Sequence, residues 1–596
     1  MLAWLLGLSL LGLSLGPLLA AFGRGRAEFA AALDGITLGL VPALIVTRLL
    51  PHTWASLGVG ALVAFGAGFM LLFLADSLHH VRASAFGKAM VVPALAVHAL
   101  SDGAALAVAT SAREVGHAGT LLGIAVVLHR LPEGLFLATT LGRSTGARGL
   151  ALRLSLLGAA TIVGAFGSQA LLAHVPDAAF DAVTAFGLGA MLRLVLHSHG
   201  DRPEGTRARA VSGVAMVLGL IGAVAIPAQH DVFRMAQPLE LTMAQSIVPL
   251  FVETAPALAL GIFGASLITV SVPARSASSL AGESSFRSAV AGLRYAVGLP
   301  ICSCAVRSLT RALADAGVPA GAVVAVAIAT PELAFDALPM SIRLLGVGLS
   351  IARLAIVAAM SVAAAMLVAR FSSDSSSSFG GPPAPPADVA LGPRPRLGEA
   401  LVSSFHHTGA WYLAGLAIAS ALEAALPTDF AARAPWFPAL IVLIVVALPI
   451  YACAPGVTPI AAMLLHKGFS PGLVLAFLAL GPTIHLALLR LFRDLFGARA
   501  ATMATAGCVA VAVLAGATID AFGRRLGSPE LHPLIAHSHS NLEWFVAASV
   551  AACFAASVVT LGARGFMESL FGEIAARDEA CEHPEHAGHH AHGHHH

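Results

Sequence analysis

Charge is scarce: only 11% of the 596 residues are Asp, Glu, Lys or Arg, against 57% apolar. A water-soluble globular chain carries roughly twice that charged fraction. A soluble protein is therefore excluded, and a mean hydropathy of +0.84 assigns most of the chain to lipid. Net charge is only +2, so no nucleic-acid partner is expected. Six cysteines, five of them in apolar sequence, make no disulfide framework. No HExxH stretch occurs, which argues against an intramembrane zinc protease, and the chain is not expected to be an enzyme. Alternating strand-like segments are few, so the fold class expected is all-α, with polytopic transmembrane helices satisfying the backbone.

Apolar runs of about twenty residues recur as far as residue 562, each long enough to cross about 30 Å of hydrocarbon. Eight spans are read in the first 230 residues: 3–22, 32–50, 56–78, 91–111, 119–141, 151–173, 180–198 and 210–227. The first lacks a basic leader and reads as a span, not a signal peptide. Basic residues collect after spans one (Arg24, Arg26), three (Arg82, Lys88), five (Arg143, Arg148, Arg153) and seven (Arg202, Arg207, Arg209). Lys and Arg mark cytoplasmic loops, so the N-terminus is expected outside a bacterial inner membrane.

The second half is cut by Pro and Gly and divided by the Ser/Pro/Gly-rich linker 371–398. It also repeats itself. The stretch from Leu299 aligns with that from Leu448, matching Pro300 to Pro449, Cys304 to Cys453, Gly317 to Gly468, Gly321 to Gly472 and Pro331 to Pro482, with two inserted residues near His466. Duplicated, Pro-broken apolar segments point to a transporter whose discontinuous helices meet around a substrate.

Two sets of residues carry chemistry. In spans four and five, His98 with Asp102 and His129 with Glu133 are each four apart and share a helix face. Two imidazoles and two carboxylates suit a divalent ion such as Zn²⁺. Two such pairs in consecutive spans argue against simple interhelical contacts. Flanking His79, His80, His197 and His199 read more simply as interfacial and solvated. The second set is "PICSCA", with Cys302 and Cys304. CxC is a poor disulfide pair, but a segment broken at Pro300 lets both sulfurs face one cavity, with Cys453 from the other copy. Thiolates select Cu(I), Zn(II) or trivalent arsenic. Thr330, Glu332, Thr483 and His485 would line the same path, with Glu332 as a proton or ion-coupling carboxylate. Asp336 and Arg343 are expected to pair. Cys508 and Cys553 read as small apolar residues.

The doubled signature His98/Asp102/Gly103 and His129/Glu133/Gly134 resembles the ZIP family of divalent metal transporters over about residues 1–230. That resemblance implies eight spans and makes His98, Asp102, His129 and Glu133 metal ligands. The chain departs from the family in having Ala99 and Arg130 just after the histidines; a guanidinium there cannot ligate a metal and is expected to pair with Glu133 or Asp102 in place of a second ion. The motifs Pro300-Cys302-Ser303-Cys304 followed by "TPEL", and Pro449-Tyr451-Cys453 followed by "GVTPIAA" and Gly481-Pro482, resemble ArsP-type permeases over about 240–562. The resemblance implies export of toxic soft elements, organoarsenicals in one branch and copper and zinc in another; Tyr451 and the His-rich end favour the latter. Arg307 stands where that pattern usually has Pro.

The tail holds Cys581, His583, His586, His589, His590 and His592 in sequence too polar to fold alone, and reads as metal-capturing. His532, His537 and His539 form a weaker metal stop before the last span. The expected organisation is a ZIP-like domain at 1–230, permease repeat 1 at 240–370, the linker at 371–398, repeat 2 with the last spans at 399–562, and the tail at 563–596. The function expected is export of Cu(I) or Zn(II), without a resident cofactor. Metal ions and the bilayer are the expected partners, with a homodimer as one assembly state. The alternatives are arsenical efflux, ZIP-type zinc uptake and a membrane thiol oxidoreductase.

Overall fold

A computed structural model describes residues 2–23, 26–46, 50–78, 142–171, 177–196, 205–225, 239–271, 284–297, 303–372, 396–426, 436–447, 453–522 and 539–571, with residues 280 and 431 and short pieces between 92 and 138. Among them every long element is a helix and none is a strand. Among the described residues eight helices are long and apolar enough to cross a membrane, and the protein is an all-α multi-pass membrane protein.

The chain divides into two compact units, one of residues 1–244 with 558–566, the other of 245–557 with 567–596. The first unit holds α1 (Leu2–Phe22), α2 (Ala27–Leu44), α3 (Leu50–Leu57), α4 (Val59–Leu78), α5 (Gly142–Leu171), α6 (Asp177–Leu196) and α7 (Thr206–Ala225). The third expected span, 56–78, is α4 but for its first residues, and Gly58 at φ +55° sets off α3, most of which falls in the connection expected before that span. Small residues set the packing. A Cβ on Gly68 would lie 2.0 Å from the Phe186 carbonyl oxygen, and one on Gly35 2.1 Å from that of Ser212, so α4 with α6 and α2 with α7 meet backbone to backbone. Such contacts hold membrane helices together where apolar burial supplies no drive. Arg564, from the piece 558–566, donates to Asp34 at 2.6 Å.

The second unit contains α8 (Leu239–Ser271, of which the first residues belong to the first unit), α9 (Ser285–Ala296), α10 (Ser303–Asp315), α11 (Ala320–Leu333), α12 (Leu338–Phe371), α13 (Leu397–Ala425), α14 (Trp436–Ala447), α15 (Ala454–His466), α16 (Pro471–Leu480), α17 (Leu486–Phe496), α18 (Ala498–Phe522) and most of α19 (Asn541–Phe571). Its duplication is geometric. Helices α10 and α15 are each thirteen residues long. Each ends in the same left-handed glycine turn: Gly317 at φ +75° and Gly468 at φ +84°. Val318 N–H donates to Leu313 and Phe469 N–H to Leu464, both at 3.1 Å, which closes orphan helix carbonyls in the same way twice. Farther on, Gly346 (φ +81°) breaks α12 where Gly497 (φ +87°) separates α17 from α18. The helices that follow, 347–371 and 498–522, run equally long. Every one of these landmarks is offset by 151 residues.

That constant offset moves the inserted residues. Back from the matched glycine turns the two helices run in step over their described residues, with no insertion near His466. Counting back fifteen residues from Gly468 reaches Cys453, and fifteen from Gly317 reaches Cys302. In helical register, therefore, Cys453 answers to Cys302 and not to Cys304.

Short helices occupy the core of this unit. A helix of ten to fourteen residues rises only about 15–21 Å, less than the hydrocarbon thickness. Correspondingly, Gly321 to Glu332 and Gly472 to Leu480 are all buried. The long helices carry apolar side chains to the outside, such as Phe263, Ile351 and Leu514. Discontinuous helices wrapped by full-length ones are the arrangement tolerated at membrane depth only inside protein.

Candidate functional site

Local sequence puts polar groups at the ends of the short helices. Pro331 lies in the last turn of α11, where its missing N–H frees a carbonyl one turn back, and Pro455 in the first turn of α15, where no intrahelical hydrogen bond is lost. Cys453 precedes α15 as its N-cap, with φ −82° and ψ 157°. It carries a thiol and is buried, 5% exposed. Cys304 lies in the first turn of α10, of which the backbone alone is described, and Cys302 lies outside the described residues.

Thr458, one turn into α15, connects this position to Glu332. Arg353 of α12 sends Nη1 to the Thr458 hydroxyl at 3.2 Å and to Ser341 at 2.5 Å. Its Nε and Nη2 reach Glu332 Oε2 at 2.9 and 2.6 Å. All four side chains are buried. Glu332 is thus charge-compensated, and one guanidinium joins the end of the first hairpin to the start of the second. Sequence reading missed Arg353. The signal was available, since an arginine inside an apolar run is costly enough to mark function.

Thr330 in α11 donates to the Val326 carbonyl at 2.7 Å, and Thr483, in the turn after α16, donates to that of Ala479 at 2.7 Å. Their hydroxyl protons thus go to backbone and not to a pathway. His485 is buried as the N-cap of α17, its Nδ1 accepting from Leu488 N–H at 3.2 Å.

The expected pairing of Asp336 with Arg343 is not formed. Asp336 stands in the turn before α12, and Arg343 lies within that helix. Its Nε meets Glu253 Oε1 at 2.9 Å and its Nη2 lies 3.5 Å from Glu543 Oε1. Glu253 and Glu543 were not singled out from sequence; His539, which was, stands beside them.

In the first unit, His98 Nε2 is 3.6 Å from Asp102 Oδ2. Arg130 takes both acids, with Nη2 3.1 Å from Asp102 and Nη1 2.6 Å from Glu133. Nη2 also donates to Thr161 at 2.7 Å, and Arg130 is fully buried. This fixed cation, unable to ligate metal, fills the space between two of the four expected ligands. Crowding holds it there: a Cβ on Gly103 would fall 2.0 Å from the Thr161 carbonyl oxygen, and one on Gly164 1.9 Å from that of Leu100. His129 lies outside the described residues, as do His79, His80, His197, His199, His532, His537, the linker residues 373–395 and the tail with Cys581, His583, His586, His589, His590 and His592.

Residues 240–521 match the model of the ArsP_1 family, described as a predicted permease. No curated protein and no solved structure matches the chain. That match spans both copies of the duplicated hairpin.

Proposed function

We propose that the permease half exports soft or borderline heavy-metal ions, Cu(I) or Zn(II), from the cytoplasm, using the thiols at the starts of its two matched helices. The observation that carries this reading is the position of Cys453: buried, at the N-terminus of a short core helix, one turn from Thr458, which shares Arg353 with Glu332. Cys302 stands at the equivalent place in the other copy by count, and Cys304 two residues beyond it. Soft sulfur ligands select such ions over Mg²⁺ or Ca²⁺. Passage requires that ligation stay exchangeable, so an incomplete thiol set suits transport better than a closed four-ligand cage. Arg353 holds the two copies in register while they move relative to each other, and Glu332 serves as its anchor. The histidines of the tail concentrate ions at the entry.

Zinc uptake through the N-terminal unit is disfavoured, because Arg130 already neutralises Asp102 and Glu133. The test is metal retained by cells expressing the protein or its Cys453→Ser variant, measured for copper, zinc and trivalent arsenicals. Lower retention of copper or zinc, lost in the variant, supports the reading. Reduction of arsenic alone transfers the function to arsenical efflux. Wild-type retention in the variant refutes the thiol path, and a trapped mixed disulfide with intact metal levels makes the protein a thiol oxidoreductase.

A further inference from the structure

We propose that Glu253, His539 and Glu543 form a separate binding site for one divalent ion of the zinc class, tying the first long helix of the permease unit to its last. It uses none of the thiols of the export path. Glu253 comes from α8, Glu543 from the first turn of α19, and His539 from just before that helix. The His539 Nδ1 lies 3.9 Å from Glu253 Oε2 and 4.0 Å from Glu543 Oε2, and one ligand atom from each residue falls within 4.8 Å of the others.

The histidine distinguishes this cluster from an ordinary acidic surface. Its side chain is only 7% exposed, and its Nε2 is buried without a hydrogen-bond partner. Gaps of 3.9 and 4.0 Å are too long for hydrogen bonds from Nδ1. A buried imidazole nitrogen left without a partner is a costly state, and the other nitrogen faces two carboxylates beyond hydrogen-bond range. Ligands at about 2.1 Å from a tetrahedral ion stand about 3.4 Å apart. A contraction of about half an ångström therefore brings each carboxylate to ligand distance from Nδ1, and the carboxylate pair, within 4.8 Å, closes by at most about 1.4 Å. Two carboxylate oxygens and one imidazole nitrogen suit Zn²⁺, Co²⁺ or Ni²⁺, and the lack of sulfur disfavours Cu(I).

The surroundings are built for such an ion. Arg343 binds the Oε1 atoms of both glutamates, leaving the Oε2 atoms facing His539. Ser540 N–H and hydroxyl donate to Glu543 Oε2 at 2.8 and 3.0 Å, fixing that carboxylate while leaving it lone pairs. With neutral histidine, two carboxylates and one guanidinium leave a single negative charge. Arg343 is thus the resident competitor of the metal, and its removal should tighten binding.

Trp544 reports on the site, its ring centroid 6.2 Å from that of His539. The full-length protein in lipid nanodiscs is titrated with Co²⁺, a paramagnetic probe that quenches nearby tryptophan. The expected result is a saturable quenching component absent from Trp544→Phe. Its midpoint should weaken at least tenfold in Glu253→Gln and His539→Gln, tighten on the order of tenfold in Arg343→Gln, and stay unchanged in Cys453→Ser. A component that Glu253→Gln and His539→Gln leave unaltered, or that Arg343→Gln weakens, overturns the proposal. A purely structural ion cluster would lose stability in Arg343→Gln and gain no affinity. If His539→Gln does not fold, Glu253→Gln and Arg343→Gln decide the question. Because Cys453→Ser leaves this signal intact, failure of the export reading and failure of this site are told apart.

Discussion

The Nη2 of Arg353 lies 2.6 Å from the Oε2 of Glu332, and both side chains are at most 2% exposed. Removing one partner of such a buried pair strands a charge and costs about 3–5 kcal/mol. Arg353→Leu and Glu332→Leu should each lower stability by about that much. The double variant should recover most of it, since two apolar groups tolerate the same place. Unfolding in detergent checks this, and a double variant less stable than either single one contradicts it. Transport is expected to stay lost in the double variant, because Ser341 and Thr458 lose their shared donor.

Gly321 and Gly472 are matched by the 151-residue offset yet should respond differently to a methyl group. A Cβ on Gly472 would lie 1.9 Å from the Gly516 carbonyl oxygen, whereas on Gly321 its nearest neighbour is 3.5 Å away. Gly472→Ala is expected to separate α16 from α18, at a cost on the order of the 1–3 kcal/mol of overpacking. Gly321→Ala should fall near zero or slightly stabilise its helix. Thermal inactivation of the two variants in parallel measures the contrast.

Arg130 occupies the carboxylate cluster of the first unit. Arg130→Ala should destabilise the protein by about 3–5 kcal/mol, leaving Asp102 and Glu133 buried without a counter-charge. Millimolar Zn²⁺ should restore part of that loss, acting with His98 as a ligand in place of the guanidinium. A variant that zinc does not stabilise more than it stabilises the wild type would show that these residues cannot hold a metal.

The helical register makes Cys302 the counterpart of Cys453. Cys302→Ser and Cys453→Ser should reduce metal export to a similar degree, and Cys304→Ser should reduce it less. Export assays on the three single variants discriminate, and a Cys304→Ser loss as large as that of Cys453→Ser would restore the register first drawn from the Leu-Pro-Ile match.

Much of this architecture was legible in the chain because it follows from solvent. Few charges and apolar runs of about twenty residues leave no option except helices in a bilayer, and proline and glycine at repeated places marked the broken segments. The identity of the second copy was legible too, though its register was not. Flanking Leu-Pro-Ile residues look alike in both copies, and only the left-handed turns at Gly317 and Gly468 show where the count has to start.

By itself the sequence determined the helical class, the multi-pass membrane setting, the internal duplication and the presence of thiols beside prolines, since each depends on composition or on spacing along the chain. Tertiary structure alone decided the partners of charged groups: Arg353 with Glu332, Arg130 with Asp102 and Glu133, Arg343 with Glu253 and Glu543. An ion pair forms between whichever opposite charges the packing of helices brings within about 4 Å. Separation along the chain does not encode that distance.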